Sequence, residues 1–278
     1  MIKILKPLFP NFLRKFARNL DIMGKFQNFF SLYNLVNAQN HSIEIFENPN
    51  ISPLKRDKIY EQETTIYLRK HLQRGQNVWD VGANIGYFSL EFARSVGPEG
   101  KVLSFEPHPK IFQVLQRNIK RNKYKNIRLF NQACGSLPGE TKLFFSTENE
   151  GNHKIIENSN SNNFALTEVV TLSSFLNEYS PSLIKMDIEG AELLALQGLG
   201  QENLKKLAID FVIEYHPYEM SFFNIEGEQV LDFFLSSGYK FRNLASPDYP
   251  IISKEEILKK YKKKDRSLTN LFCSKAID

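Results

Sequence analysis

The chain has 278 residues, 42% of them hydrophobic and 24% charged, with a formal net charge of +5. At about 150 residues per domain this is one or two globular domains, and the composition excludes wholesale disorder or a fibrous chain. No apolar run approaches the ~20 residues of a membrane helix. Two cysteines, Cys134 and Cys273, are too few for a disulfide scaffold and read as packed thiols in a reducing compartment.

Residues 1–25 interleave six basic residues (Lys3, Lys6, Arg14, Lys15, Arg18, Lys25) and one acid, Asp21, with apolar side chains. Charges and prolines interrupt every run long enough for a signal peptide. The segment reads as a basic amphipathic stretch suited to an anionic membrane, or as a helix packed on the domain. Residues 48–53, with two prolines, read as a linker. The expected organisation is an N-terminal basic, amphipathic or helical extension over 1–55 and one main domain over 56–278.

From residue 77 strands and helices alternate. Strands are expected at 77–81, 101–106, 127–133, 182–187 and 207–215, with shorter ones at 141–145 and 168–172. Helices are expected at 86–96, 109–122, 191–197 and 228–236. Closing strands at 239–244 and 268–274 could pair antiparallel at one edge. The asparagine-rich stretch 149–163 reads as a surface loop, or as a lid with His153 as a polar contact. This alternation predicts an α/β fold with a doubly wound, mainly parallel, seven-stranded Rossmann-like sheet. Ligands of such sheets sit at the carboxyl ends of the strands.

The first strand end reads Asp80-Val81-Gly82-Ala83-Asn84-Ile85-Gly86-Tyr87-Phe88 and opens a helix, the setting of a nucleotide-binding loop. It is not a dinucleotide fingerprint, because Asn84 stands at the middle glycine position and Tyr87 at the third. A diphosphate would also meet the charge of Asp80, whereas a sulfonium or ammonium would be attracted to it. That points to S-adenosyl-L-methionine, with Asp80, Gly82, Ala83, Asn84, Gly86, Tyr87 and Phe88 as candidate binding residues. Glu106, at the next strand end beside Pro107, lies 20 residues after Gly86 and could accept two hydrogen bonds from a ribose diol. Gln132 and Ala133, on the following strand, could border the adenine.

These residues resemble the first motif of the FkbM-type methyltransferases. So do Phe105-Glu106-Pro107, Ala133-Cys134-Gly135 with Gly139, and Ile184-Lys185-Met186-Asp187-Ile188-Glu189-Gly190-Ala191-Glu192 followed by Leu194 and Gly198. Ile213-Glu214-Tyr215-His216 fits the next strand end. The resemblance covers roughly residues 60–245. It implies a class I methyltransferase fold, S-adenosylmethionine as cofactor, and O-methylation of hydroxyls, commonly on sugars, polysaccharide units or secondary metabolites. By motif, Asp80, Gly82, Asn84, Gly86 and Glu106 would hold the cofactor.

Transfer to an alcohol needs alignment and a proton acceptor. Asp187, Glu189, Glu214 and His216 sit at adjacent predicted strand ends and are the candidate catalytic residues, with Asp187 also facing the cofactor. Lys185, mid-strand, could pair with an acid. Glu192 reads as solvent-facing or as a helix cap, on the same side as Glu189 if the helix has begun there. Asp187 and Glu214 could give a hard cation two ligands, but with no third in view no metal is assigned. The expected partner is a small-molecule or glycan hydroxyl acceptor, with the protein cytoplasmic or at the inner face of a membrane. Two other readings remain. One is a nucleic-acid methyltransferase, for which Lys110, Arg117, Lys120, Arg121, Lys123 and Lys125 could meet phosphates. The other is a non-catalytic cofactor-binding module.

Overall fold

A computed structural model describes residues 33–46, 57–144 and 164–277. The basic segment 1–25, the linker 48–53 and the 149–163 loop lie outside the described residues. No described helix is long and apolar enough to cross a membrane.

The main sheet is built on β3 (Val78–Val81), β4 (Val102–Phe105), β5 (Ile127–Phe130), β9 (Leu183–Met186) and β10 (Asp210–Tyr215), all parallel. It closes with β11 (Lys240–Asn243), β12 (Ile251–Ile252) and β13 (Thr269–Ser274). The strand order is β12-β11-β13-β10-β9-β3-β4-β5. Seven strands match the expected count, and the two-residue β12 adds an eighth at the edge. As expected, β11 and β13 pair antiparallel. The strand expected over 127–133 breaks after Phe130, and Ala133–Cys134 (β6) joins β7 (Gly139–Phe144) and β8 (Phe164–Val170) in a separate three-stranded sheet.

Strands covered on both faces read as continuous apolar runs, and β3, β4 and β9 are buried throughout. Their side chains alternate between two cores. Val78, Val102, Leu183 and Val212 pack with residues of α1 (Gln62–His71), α2 (Tyr87–Val96) and α3 (Pro109–Asn122). Trp79, Leu103, Ile184 and Phe211 pack on the other face with α5 (Glu192–Leu199) and α8 (Gly227–Leu235). The short α4 (Leu176–Tyr179) precedes them, α6 (Gln201–Lys206) and α7 (Pro217–Met220) come between them, and α9 (Lys254–Lys260) lies near the end of the chain.

On the α1–α2 face the residues turn polar toward the carboxyl ends. Asp80, Ser104 and Lys185 sit two residues beyond Val78, Val102 and Leu183 and are aligned across β4, β3 and β9. Glu214 lies two residues beyond Val212 and is paired with Asn270 of β13. The fold thus collects charged groups at one edge of an otherwise apolar face.

Residues 33–46, within the segment expected to be helical, form a β-hairpin of β1 (Tyr33–Ala38) and β2 (His41–Phe46). Its alternating Val36, Ala38, Ile43 and Ile45 are buried in the same core as α1–α3. Two asparagines one turn apart on α3 hold β2 much as a neighbouring strand would. Asn118 Oδ1 accepts from Glu44 N (2.7 Å) and its amide donates to Glu44 O (3.0 Å), while Asn122 does the same with Ser42 at 3.0 and 2.9 Å. Arg117 and Arg121 of α3 pair with Glu44 at 2.7 and 3.6 Å.

Candidate active site

The cleft opens at the carboxyl ends of β3, β4 and β9, where the strand order reverses. Of the expected site residues, Gly82, Asn84, Glu106, Pro107, Gln132, Ala133, Asp187 and Glu189 line it. The turn after β3 determines its floor. Gly82 has φ +86°, and a Cβ there would stand 1.9 Å from the Asp187 carbonyl oxygen. Only glycine allows the two loops this close approach. Asn84, at φ 50°, takes the left-handed conformation that asparagine tolerates better than most residues.

Glu106 is 6% exposed and has local backbone donors, Asn84 N to Oε2 and His108 N to Oε1, both at 2.9 Å. Burial pushes its carboxyl up to about 7 against the pull of those two donors. Each oxygen keeps a free acceptor position, which fits a vicinal diol. Gln132 Oε1 is buried without a partner among the described residues, which fits an amino-group donor such as that of adenine. By these two observations the cleft fits the nucleoside of S-adenosylmethionine.

Asp80 departs from the expectation. It is 1% exposed, does not line the cleft, and accepts from Ser89 Oγ at 2.5 Å, while its Oδ1 has no hydrogen-bond partner among the described residues. Burial raises its carboxyl to about 6, against the neighbouring Lys185. It supports the loop from beneath. Ala83, Gly86, Tyr87 and Phe88 also lie off the cleft lining. Tyr87 and Phe88 are buried in the α2 core, and Gly86 caps α2 at φ 92° against Leu115. These side chains shape the loop from behind.

On the other side of Asp187 lies a cluster of acids. Lys185 is 2% exposed, donates to Asp187 Oδ2 at 2.9 Å and holds its ammonium 4.5 Å from the Phe88 ring. Burial alone would lower the Lys185 pKa, but the carboxylates of Asp187, Glu61 and Asp80 raise it above its usual value. The mid-strand lysine therefore pairs with an acid, as the sequence allowed. Glu214 is pushed well up, first by burial and then by Asp187, Glu189, Glu192 and Glu61. Glu189 sits at φ 55° in the turn before α5, so it shares no helix side with Glu192. Glu192 is fully buried rather than solvent-facing. Its Oε1 accepts from Ile188 N (3.0 Å) and Gly190 N (3.4 Å), fixing the turn that carries Asp187 and Glu189. His216 is the N-cap residue of α7, with its ring beside Tyr218, and does not line the cleft.

Sequence reasoning missed Tyr60 and Glu61, on the turn entering α1. Glu61 takes φ 43°, a conformation that costs a non-glycine residue about 1–2 kcal/mol. Its Oε2 accepts from Asn270 Nδ2 at 2.6 Å. Burial raises its carboxyl to about 7, with Lys185 pulling the other way. Tyr60 is raised by burial, then by Glu61, Asp187, Glu214 and Glu189. An acid at a helix start looks like any favourable end charge in a sequence, so no local signal marked Glu61.

The strand order, with its antiparallel pair at one edge and a ligand-fitting cleft at the switch point, defines a class I methyltransferase fold. Residues 80–241 match the model of the methyltransferase FkbM domain, and the chain belongs to that family. Its class uses S-adenosyl-L-methionine. Among relatives, "Methyltransferase 1" of Beauveria bassiana is 29% identical over 146 residues, covering 45% of this chain and 58% of its own. "Methyltransferase sdnD" of Sordaria araneosa is 28% identical over 188 residues, covering 55% and 72%. The crystal structure of methyltransferase FkbM from Methylobacillus flagellatus KT aligns with a TM-score of 0.48 at 20% identity, over 76% of this chain and 47% of that one. The chain thus spans less than two thirds of the first of these relatives.

Proposed function

We propose that the protein transfers the methyl group of S-adenosylmethionine to a hydroxyl oxygen of a sugar, a glycan or a secondary metabolite. One observation carries this reading. A pocket fitting a nucleoside adjoins, through Asp187, a cluster of carboxylates raised toward neutral pKa. When bound, the cofactor supplies an electrophilic methyl group on a sulfonium. Transfer forms an O–CH3 bond, breaks the S–CH3 bond and frees the hydroxyl proton. A carboxylate raised by burial, as that of Glu214 is, suits proton acceptance. Asp187 and Glu189 line the cleft and are the other candidates, with His216 off its lining.

Glu106 holds the ribose diol and Gln132 the adenine amine, while the Gly82–Asn84 turn lets the backbone approach closely. Two buried free cysteines are in keeping with a reducing, cytoplasmic setting. A nucleic-acid substrate is less favoured, because Arg117 and Arg121 on the basic face of α3 are engaged by Glu44. The test is calorimetric titration with S-adenosylmethionine, S-adenosylhomocysteine and NAD, followed by a labelled-methyl screen of sugar and glycolipid hydroxyls. Micromolar binding of the first two, silence from NAD and label in an ether product are expected. Failure of a folded protein to bind either sulfur ligand would overturn the reading.

A further inference from the structure

The carboxyl end of the sheet also carries a cluster of the opposite charge. Thr269 and Asn270 open β13 opposite Tyr215 and Glu214 of β10, so the loop that runs into β13 emerges beside the acids. That loop holds Lys262, Lys263, Lys264 and Arg266, all exposed, with Asp265 as its one acid. None of the four cations makes an ion pair among the described residues.

The helix α7 joins this loop to the reaction centre. It follows β10 directly, and its backbone lies so close to the turn bearing Glu189 that a Cβ on Gly190 would stand 2.4 Å from the Glu219 carbonyl carbon. It also packs beside the turn Lys263–Asp265. There the Arg266 guanidinium lies 4.3 Å from the centroid of the Tyr218 ring, and Phe222 meets the same ring edge-on at 5.1 Å. Stacking occupies one face of a guanidinium and leaves its in-plane N–H groups to pair with a carboxylate or phosphate through two parallel hydrogen bonds. Tyr218 thus holds the cation in place without neutralising it.

We propose that Arg266, held by Tyr218, is a specificity-determining residue that receives an anionic group of the methyl acceptor, so that the substrate is a sugar bearing a carboxylate or a phosphate. The assignment rests on the methyltransferase reading and narrows its acceptor. The two signs of charge orient such a molecule. The acids around Asp187 repel its anion and the Arg266 loop attracts it, which leaves its hydroxyls to face the acids. Tyr218 and Phe222 add aromatic surface against which a sugar ring can pack.

The test uses the full chain saturated with S-adenosylhomocysteine and titrated calorimetrically with glucose, glucuronate and glucose 6-phosphate. One or both acids should bind about tenfold more tightly than glucose, the worth of one charged hydrogen bond, and the advantage should shrink as salt is raised. Which acid gains tells carboxylate from phosphate. Arg266→Gln should abolish the advantage and leave S-adenosylhomocysteine binding unchanged. Tyr218→Leu, which frees the guanidinium without removing it, should reduce the advantage by less. Melting curves establish that each variant is folded. Equal binding of the three sugars, binding of none, or an advantage that survives Arg266→Gln would overturn the assignment while leaving the methyltransferase reading intact. A single-stranded RNA that binds more tightly than either acid at physiological salt and takes up the methyl label would overturn it in favour of a nucleic-acid acceptor. Wild-type protein that binds no S-adenosylhomocysteine would overturn both readings.

Discussion

The two sides of Asp187 solve the problem of buried charge differently. On the nucleoside side one carboxylate, Glu106, is satisfied by backbone donors two and twenty-two residues away. On the other side Glu61, Lys185, Asp187 and Glu214 come from separate elements and answer one another's charges across the sheet. The first arrangement needs only main-chain donors from the ends of two paired strands, β3 and β4. The second exists only once the whole sheet is assembled, and it holds the Glu61 and Glu214 carboxyls above their usual range. The nucleoside side draws on the adjacent ends of β3, β4 and β5, whereas the charged cluster also needs α1 and β13.

The contrast breaks most visibly at Lys185. Lys185→Met leaves three carboxylates without their cation and should cost about 3–5 kcal/mol. The loss should be larger at pH 8 than at pH 5, where the acids can take up protons. Urea titrations at the two pH values check this, and equal losses would mean that the cluster is not electrostatically strained.

Glu91 provides the opposite sign. It is buried, yet His41 and Arg69 outweigh that burial and hold its carboxyl at about 2, below the usual 4.5. A lowered acid stabilises the fold above its unfolded pKa and loses that contribution as pH falls. Glu91→Gln should therefore cost about 3 kcal/mol at neutral pH. That cost should fade between pH 4.5 and about 2, as read from acid-unfolding curves.

A smaller effect sharpens the nucleoside side. The Glu106 carboxyl is raised from 4.5 to about 7, so the folded protein holds that proton longer and loses stability as pH rises through this window. Glu106→Gln should flatten the fall in melting temperature over this range and weaken S-adenosylhomocysteine about tenfold. The smallest effect belongs to Gln132→Leu. It should weaken adenine-bearing ligands about threefold, the loss of one neutral hydrogen bond, and leave the pH dependence unchanged.

The legible parts of the molecule are those where neighbours in sequence are neighbours in space. The Gly82–Gly86 turn, Glu106 and the Asp187–Glu189 turn stand in the structure where their motifs indicated. The strand–helix alternation from residue 77 onward appears with boundaries shifted by a few residues, except where β5 ends early. Asp80 was misplaced because the sequence shows a charge at a strand end but not the side of the sheet it enters. Period-two alternation with Val78 turns it toward α2 and Lys185. The hairpin went unseen even though Ile43 and Ile45 alternate with Ser42 and Glu44, because what holds it is a pair of asparagines some eighty residues later. Glu61 and Asn270 were illegible for the same reason. They are 209 positions apart and meet only across the completed sheet.

The approach of Gly82 to the Asp187 carbonyl joins the two sides through main chain alone. Asp187 N donates to Val81 O at 3.0 Å, and Gly82 N to Phe105 O at the same distance. With no side chain between them to act as a cushion, a displacement of the turn beneath the nucleoside is expected to carry the turn bearing the acids with it. Occupancy of either side then restricts the other, and such linkage is reciprocal. Adenosine and methionine offered as separate fragments should therefore bind more tightly together than apart.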